Sequence, residues 1–177
     1  LDPSHERAWA DKGTTLAHLE RYEEAVAAFR RAIDLEPLSA PVHISLGKAL
    51  MSLGRPEEAA KAIEGGLLAD PGHPGLWILK GTCEKELGKF ADAAESFGEA
   101  IGLEPGNPEP WYQLGLALEM TGRPEDALNA LQGFLTLMPE SHEAWMKKAG
   151  LLSTPGRHPE AVEAFGRATG LAPESAH

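Results

Sequence analysis

The groups in this chain that could do covalent or metal chemistry are seven histidines, one cysteine and twenty-seven carboxylates. Zinc chemistry needs ligands gathered at short spacings, such as His-x3-His or paired cysteines. His5, His18, His43, His73, His142, His158 and His177 are scattered singly, and none joins Cys83. Phosphate chemistry on a glycine loop needs a Gly-Lys-Ser/Thr ending, which is missing here. Adjacent carboxylates occur only as Glu23-Glu24, Glu57-Glu58 and Glu125-Asp126. Each of these runs falls in the first turn of an expected helix, where it complements the helix dipole. Catalysis therefore finds little support, and neither a metal nor a cofactor is expected.

Cys83 is the only cysteine, so no internal disulfide can form. That usage fits a reducing compartment, and the expected location is cytoplasmic. The thiol reads as a small buried core residue rather than a reactive one. No apolar run approaches the roughly 18 residues of a membrane span, and no secretory signal opens the chain. The formal charge of −11 argues against nucleic-acid binding, which needs basic surface to neutralise phosphates. The opening Leu1-Asp2-Pro3 copies Leu35-Glu36-Pro37 and Leu103-Glu104-Pro105, so the chain is expected to be a fragment of a longer array.

The elements that would position these groups are set by a strict repeat. Pro3, Pro37, Pro71, Pro105, Pro139 and Pro173 are spaced 34 residues apart without a slip. Ala25, Ala59, Ala93, Ala127 and Ala161 keep the same beat, as do Trp9, Trp77, Trp111 and Trp145, with His43 in the one missing place. Gly13, Gly47, Gly81 and Gly115 complete the frame, with Ala149 last. A fixed period of this length means an all-α repeat, an α-solenoid whose usual product is a binding surface rather than a pocket. The repeats run 6–39, 40–73, 74–107, 108–141 and 142–177, and residues 1–5 form the tail of a preceding unit. Together they are expected to make one continuous solenoid.

Each repeat divides into two amphipathic segments. Trp9, Leu16 and Leu19 lie at helical spacing in the first, and Ala25, Phe29, Ala32 and Ile33 in the second. Gly54, Gly88, Gly122 and Gly156 suit a helix C-terminal cap between them. Pro56, Pro124 and Pro159 then open the second helix, where a missing N–H costs nothing. All fourteen prolines fall in an inter-repeat loop, at a helix start or, for Pro155, at a helix end. The glycine beat on the first helix and the alanine beat on the second let the two approach closely. A larger side chain there would cost roughly 1–3 kcal/mol. Gly65, Gly66, Gly98, Gly102, Gly133, Gly166 and Gly170 sit within second helices, each at a cost of roughly 1 kcal/mol against alanine in an exposed helix. Lys80 and Glu84, four apart on one helix, are expected to pair, the lysine stem packing and its head reaching outward, a contact worth a few tenths of a kcal/mol if exposed.

The pattern resembles the tetratricopeptide repeat. Trp111-x-x-Leu114-Gly115 matches the opening of that family's signature, and Ala93, Phe97 and Pro105 match its close, as do Ala25, Phe29 and Pro37. The resemblance covers 6–175 and implies a right-handed α-solenoid of antiparallel helix pairs. The leucine beat is Lys12, Lys80 and Lys148 in alternate repeats, a variant similar to bacterial and archaeal members, so a prokaryotic origin is expected. The aromatic beat after the glycine is leucine except at Glu84.

In this family the first helices line a concave groove, and the resemblance implies that Ile44, Lys48, Met51, Ile78, Leu79, Thr82, Tyr112, Gln113, Leu116, Met146 and Lys147 line it here. The family's carboxylate clamp needs lysine at the fifth and asparagine at the ninth position of a repeat. The fifth position is apolar or aromatic throughout and the ninth never carries asparagine, so that function is rejected. The asparagine ladder of glycosyltransferase-linked members is missing too. The apolar residues of the set fit a groove for an apolar or amphipathic peptide or helix. Packing between neighbouring first helices is the competing use for each of them. Net acid concentrates in repeats three and four, which would steer a partner with basic flanks there or simply keep a solvated surface. Two functions stay open: a protein-interaction scaffold binding in its groove, and an architectural array that spaces or assembles other domains, among them an enzyme outside this fragment. With no polar capping helix after the last repeat, Phe165, Ala168 and Leu171 are expected to be partly uncovered and to support end-to-end self-association.

Overall fold

The structure is a computed structural model and describes residues 3–153 and 156–171. Pro155 and the tail after Leu171 lie outside the described residues. Ten helices and no strand occur among them: α1 (Pro3–His18), α2 (Tyr22–Leu35), α3 (Ala40–Ser52), α4 (Pro56–Ala69), α5 (Pro74–Glu86), α6 (Phe90–Leu103), α7 (Pro108–Met120), α8 (Pro124–Leu137), α9 (His142–Leu152) and α10 (His158–Leu171). They form two compact units, 1–103 and 104–177. In unit 1 the pairs α1–α2, α3–α4 and α5–α6 stack, and in unit 2 the pairs α7–α8 and α9–α10. The repeat boundaries coincide with helix starts from α3 onward, while α1 begins three residues ahead of its register. No described helix is long and apolar enough to cross a membrane.

The turn inside each repeat is fixed by backbone chemistry. Gly54, Gly88 and Gly122 hold φ of +68°, +73° and +71°, the left-handed conformation that closes a helix at little cost only for glycine. The next amide then reaches back to the helix: Arg55 to the Leu50 carbonyl at 3.0 Å, Lys89 to Glu84 at 2.8 Å and Arg123 to Leu118 at 3.0 Å. This 6→1 bond satisfies a carbonyl the helix end would otherwise leave free. The first repeat makes the same turn with Glu20 at φ +59°, a strained choice for a residue with a Cβ.

The glycine beat of the first helices does what its spacing predicts. A Cβ on Gly13 would come within 2.6 Å of Phe29, one on Gly47 within 2.6 Å of Ile63, and one on Gly81 within 2.8 Å of Phe97. Phe29, Ile63 and Phe97 are accordingly sealed in the core. The glycines of the second helices divide into two kinds, which corrects the expectation of a uniform cost. A Cβ on Gly133 would meet the Trp111 ring at 2.4 Å, and one on Gly65 the His43 ring at 2.7 Å. These two hold the same beat, and each receives the aromatic side chain of its own repeat's first helix. Gly98 and Gly102 face open space.

The two kinds should respond oppositely to the same change. Gly98→Ala is expected to raise stability by roughly 1 kcal/mol through helix propensity. Gly133→Ala should lower it by about 1–3 kcal/mol through overpacking against Trp111. Thermal unfolding of the two variants checks this, and a common sign for both would refute it.

Candidate functional site

The histidine at the tryptophan beat acts as a tryptophan. His43 is buried, and its Nε2 lies 2.9 Å from the Pro37 carbonyl. Trp77, Trp111 and Trp145 donate their indole N–H to Pro71, Pro105 and Pro139 at 2.8, 3.1 and 2.8 Å. Each bond ties a first helix to the proline loop that precedes it. His43 Nδ1 is buried without a partner. His73 Nδ1 accepts from the Gly75 amide and so caps α5. His142 Nδ1 lies 2.9 Å from the Ala168 carbonyl and ties α9 to α10. Among the described residues no group of three histidine, cysteine or acidic side chains could hold a metal ion.

Cys83 is fully buried, with Sγ 3.4 Å from Met51 Sδ. Burial pushes its thiol up to about 11, and the charge of Glu84 adds to the effect. The thiol therefore stays protonated at neutral pH, the state of a packing residue rather than a nucleophile.

Glu84 pairs with Lys80 as expected, but not at an exposed site. Its Oε1 does lie 3.5 Å from Lys80 Nζ, but the carboxylate is buried and its Oε2 accepts a 2.6 Å hydrogen bond from Ser96 Oγ. Lys80 Nζ also lies 5.0 Å from the centre of the Trp77 ring. Lys12 over Trp9 and Lys148 over Trp145 repeat that arrangement at 4.7 and 5.1 Å. The cation–π pairs account for lysine at the leucine beat of odd repeats: three residues after the tryptophan, its ammonium reaches the ring face. Desolvation lowers the pKa of Lys148.

The groove-set residues of unit 1 are Ile44, Lys48, Met51, Ile78, Leu79 and Thr82. Ile44, Met51 and Leu79 pack into one cluster with Ala40, Ile63 and Leu76, and Leu79 is nearly sealed. Ile78 and Thr82 are half-buried, with Thr82 Oγ1 donating to the Ile78 carbonyl at 2.9 Å. Lys48 is exposed.

In unit 2 the set is Tyr112, Gln113, Leu116, Met146 and Lys147. Tyr112 donates its hydroxyl to Glu143 Oε1 at 2.6 Å, and its ring centre lies 5.2 Å from that of Phe134. Burial, the Glu143 bond and the nearby acidic charge hold this phenol un-ionised well above its ordinary range. Lys147 pairs with Glu119 Oε2 at 2.8 Å. Both ties run between α7 and α9. Gln113 and Leu116 are half-buried, and Met146 is 40% exposed. Sequence reasoning missed both ties, because the partners lie 31 and 28 residues apart and only the repeat register brings them opposite.

Comparison with known proteins gives a consistent picture. A family model described as tetratricopeptide repeat matches residues 2–83 and 85–151. Among curated proteins none matches this sequence. A crystal structure of MamA protein is similar over 94% of this chain and 91% of its own, at 20% identity and a TM-score of 0.89. MamA 41-end from Desulfovibrio magneticus RS-1 is similar over 97% and 96%, at 20% identity and 0.86. A MamA AMB-1 structure covers 99% and 96%, at 25% identity and 0.83. At this level of identity the likenesses speak to the fold.

The Glu84–Ser96 pair makes a separate test of the core. Ala28, Ala62, Ala130 and Ala164 hold the beat of Ser96, and leucine holds that of Glu84 in the other repeats. Ser96→Ala alone should cost about 1–3 kcal/mol by leaving a buried carboxylate short of a donor. Combining it with Glu84→Leu should recover that loss or exceed it. Chemical denaturation of both variants decides. A double variant less stable than the single one would show that the polar pair is itself stabilising.

Proposed function

The chain belongs to the tetratricopeptide repeat family, and on that premise we propose that its first helices form the binding face of a protein-interaction scaffold. A scaffold role in general follows from the family and the fold. The finer reading is that the face takes an apolar or amphipathic peptide or helix, with basic flanks drawn by the chain's net acidic charge. One observation carries it. In unit 2 the Tyr112–Glu143 and Glu119–Lys147 ties fix α7 and α9 side by side, while the Met146 side chain on that face stays 40% exposed. A face held by polar ties around an accessible methionine is preorganised, and the thioether adapts to apolar ligands.

The architectural reading also has an observation in its favour. Ile44, Met51 and Leu79 are engaged in packing between α3, α4 and α5, so they offer little free surface to a ligand. On this reading the lining of unit 1 serves stacking, and the chain spaces or assembles other domains.

The two readings separate in one experiment. A peptide display library is selected on the chain, and the enriched peptides are remeasured on Met146→Lys and Lys48→Glu, two exposed positions whose change leaves the core alone. Binding through the first-helix face predicts enrichment, with at least one variant weakened about tenfold or more. No enrichment, or equal binding by both variants, would overturn the groove and leave the architectural role.

A further inference from the structure

On α10 the face expected to be partly uncovered is open at Phe165, but Ala168 is sealed against α9. The side chain of Leu171 lies outside the described residues.

The first helices of unit 2 present a strip of mixed chemistry. Glu109 and Tyr112 are three apart on α7, and Glu143 and Met146 are three apart on α9, so each pair shares one face of its helix. The Tyr112 hydroxyl, donating to Glu143 Oε1 at 2.6 Å, joins the two pairs. The strip therefore runs Glu109, Tyr112, Glu143, Met146 across two helices. Glu109, Glu143 and Met146 are exposed, and Tyr112 is half-buried.

No cation of these helices neutralises the strip. α7 carries no lysine or arginine. The two lysines of α9 are committed elsewhere, Lys147 to Glu119 at 2.8 Å and Lys148 to Gln132 at 2.6 Å. His142 is turned to the Ala168 carbonyl on α10. Glu109 and Glu143 do lie in the first turns of α7 and α9, where the helix dipoles offset part of their charge. A helix N-terminus is equivalent to roughly half a positive charge, so the two ends balance about one of the two carboxylates and the strip stays negative. Tyr112 responds to that field: after burial, the charges of Glu143 and Glu119 help to keep its phenol protonated.

The strip suits a cation that also has a flat face. The Tyr112 ring packs against Phe134, ring centres 5.2 Å apart, and is held at its tip by Glu143. A guanidinium can stack on such a pinned ring while its fork reaches the carboxylates on either side, whereas an ammonium is a point charge and can do less. One turn along α9 from Glu143, the Met146 thioether adapts to an apolar neighbour. Side chains three apart on a helix are about 5–6 Å from each other at Cβ. Alternate side chains of an extended peptide point the same way about 6–7 Å apart, a matching step.

We propose that this strip is an arginine-reading subsite, taking an extended peptide with its arginine between Glu109 and Glu143 and an aliphatic residue, two positions away, on Met146. The subsite rests on the first-helix face being the binding face, and it names the residue that this face selects.

The peptide selection described above tests it when the enriched sequences are read and remeasured by isothermal titration calorimetry. Peptides selected on the full chain should be rich in arginine with an aliphatic residue two positions away. The double variant Glu109→Gln/Glu143→Gln removes both charges yet leaves an oxygen for the Tyr112 hydroxyl, and it should bind those peptides about tenfold more weakly. Glu109→Gln alone, which disturbs neither tie, should weaken binding in the same direction. Lysine in place of the peptide's arginine should also lose affinity for the parent chain. Enriched peptides without an excess of arginine, a lysine peptide that binds equally well, or equal binding by the parent chain and the glutamine variants would overturn the subsite and leave the first-helix face standing. No enrichment at all would overturn both.

Discussion

A two-helix repeat cannot bury its own apolar surface, and the rest of this structure depends on that. Once the first and second helices are paired, the outer stripe of the second remains bare until the next first helix closes over it. Within each repeat the two helices must also come close, and the sequence thins the first of them where needed. Gly13, Gly47 and Gly81 remove the side chains that would meet Phe29, Ile63 and Phe97. The apolar burial that stabilises each repeat is thus shared with a neighbour, so stability accumulates along the stack rather than within a unit.

Polar contacts mark the joints of this stack and contribute less to its stability. The indole or imidazole bonds to proline carbonyls fix the angle at which each first helix leaves its loop. The arginine ties to acids in the same and the preceding repeat, such as Arg55 with Glu58 and Glu23, are exposed. Pairs of that kind are worth at most about 1 kcal/mol each. Their value is register: an arginine that finds an acid on the preceding repeat does so only when the two repeats are correctly stacked. Glu84 and Ser96 are different, because they place a charge inside the core of the third repeat, where the other repeats use leucine and alanine.

Period and helix boundaries were legible because each repeat restates the same constraints. Gly54, Gly88 and Gly122 announce left-handed turns, and the Gly13 beat announces a close approach. What the sequence concealed depends on contacts between repeats. Gly133 reads as a costly helix glycine until Trp111 is seen lying on it. Lys80 reads as the partner of an exposed Glu84 until Ser96, twelve residues on, draws that carboxylate inside. Of the candidate groove residues, helical periodicity places them on first helices but cannot say which are used up. Leu79 is nearly sealed, while Met146, two repeats later, stays open. The alanine that replaces serine at the other four beats was the available signal for the buried pair.

The core of each repeat is thus shared with its neighbour. Amide hydrogen exchange followed residue by residue measures that sharing directly. Gly47→Ala sets a Cβ 2.6 Å from Ile63 and 3.0 Å from Leu79, and the account predicts faster exchange in α3, α4 and also α5 of the next repeat. Loss of protection confined to α3 and α4 would contradict it, because each repeat would then hold its own core.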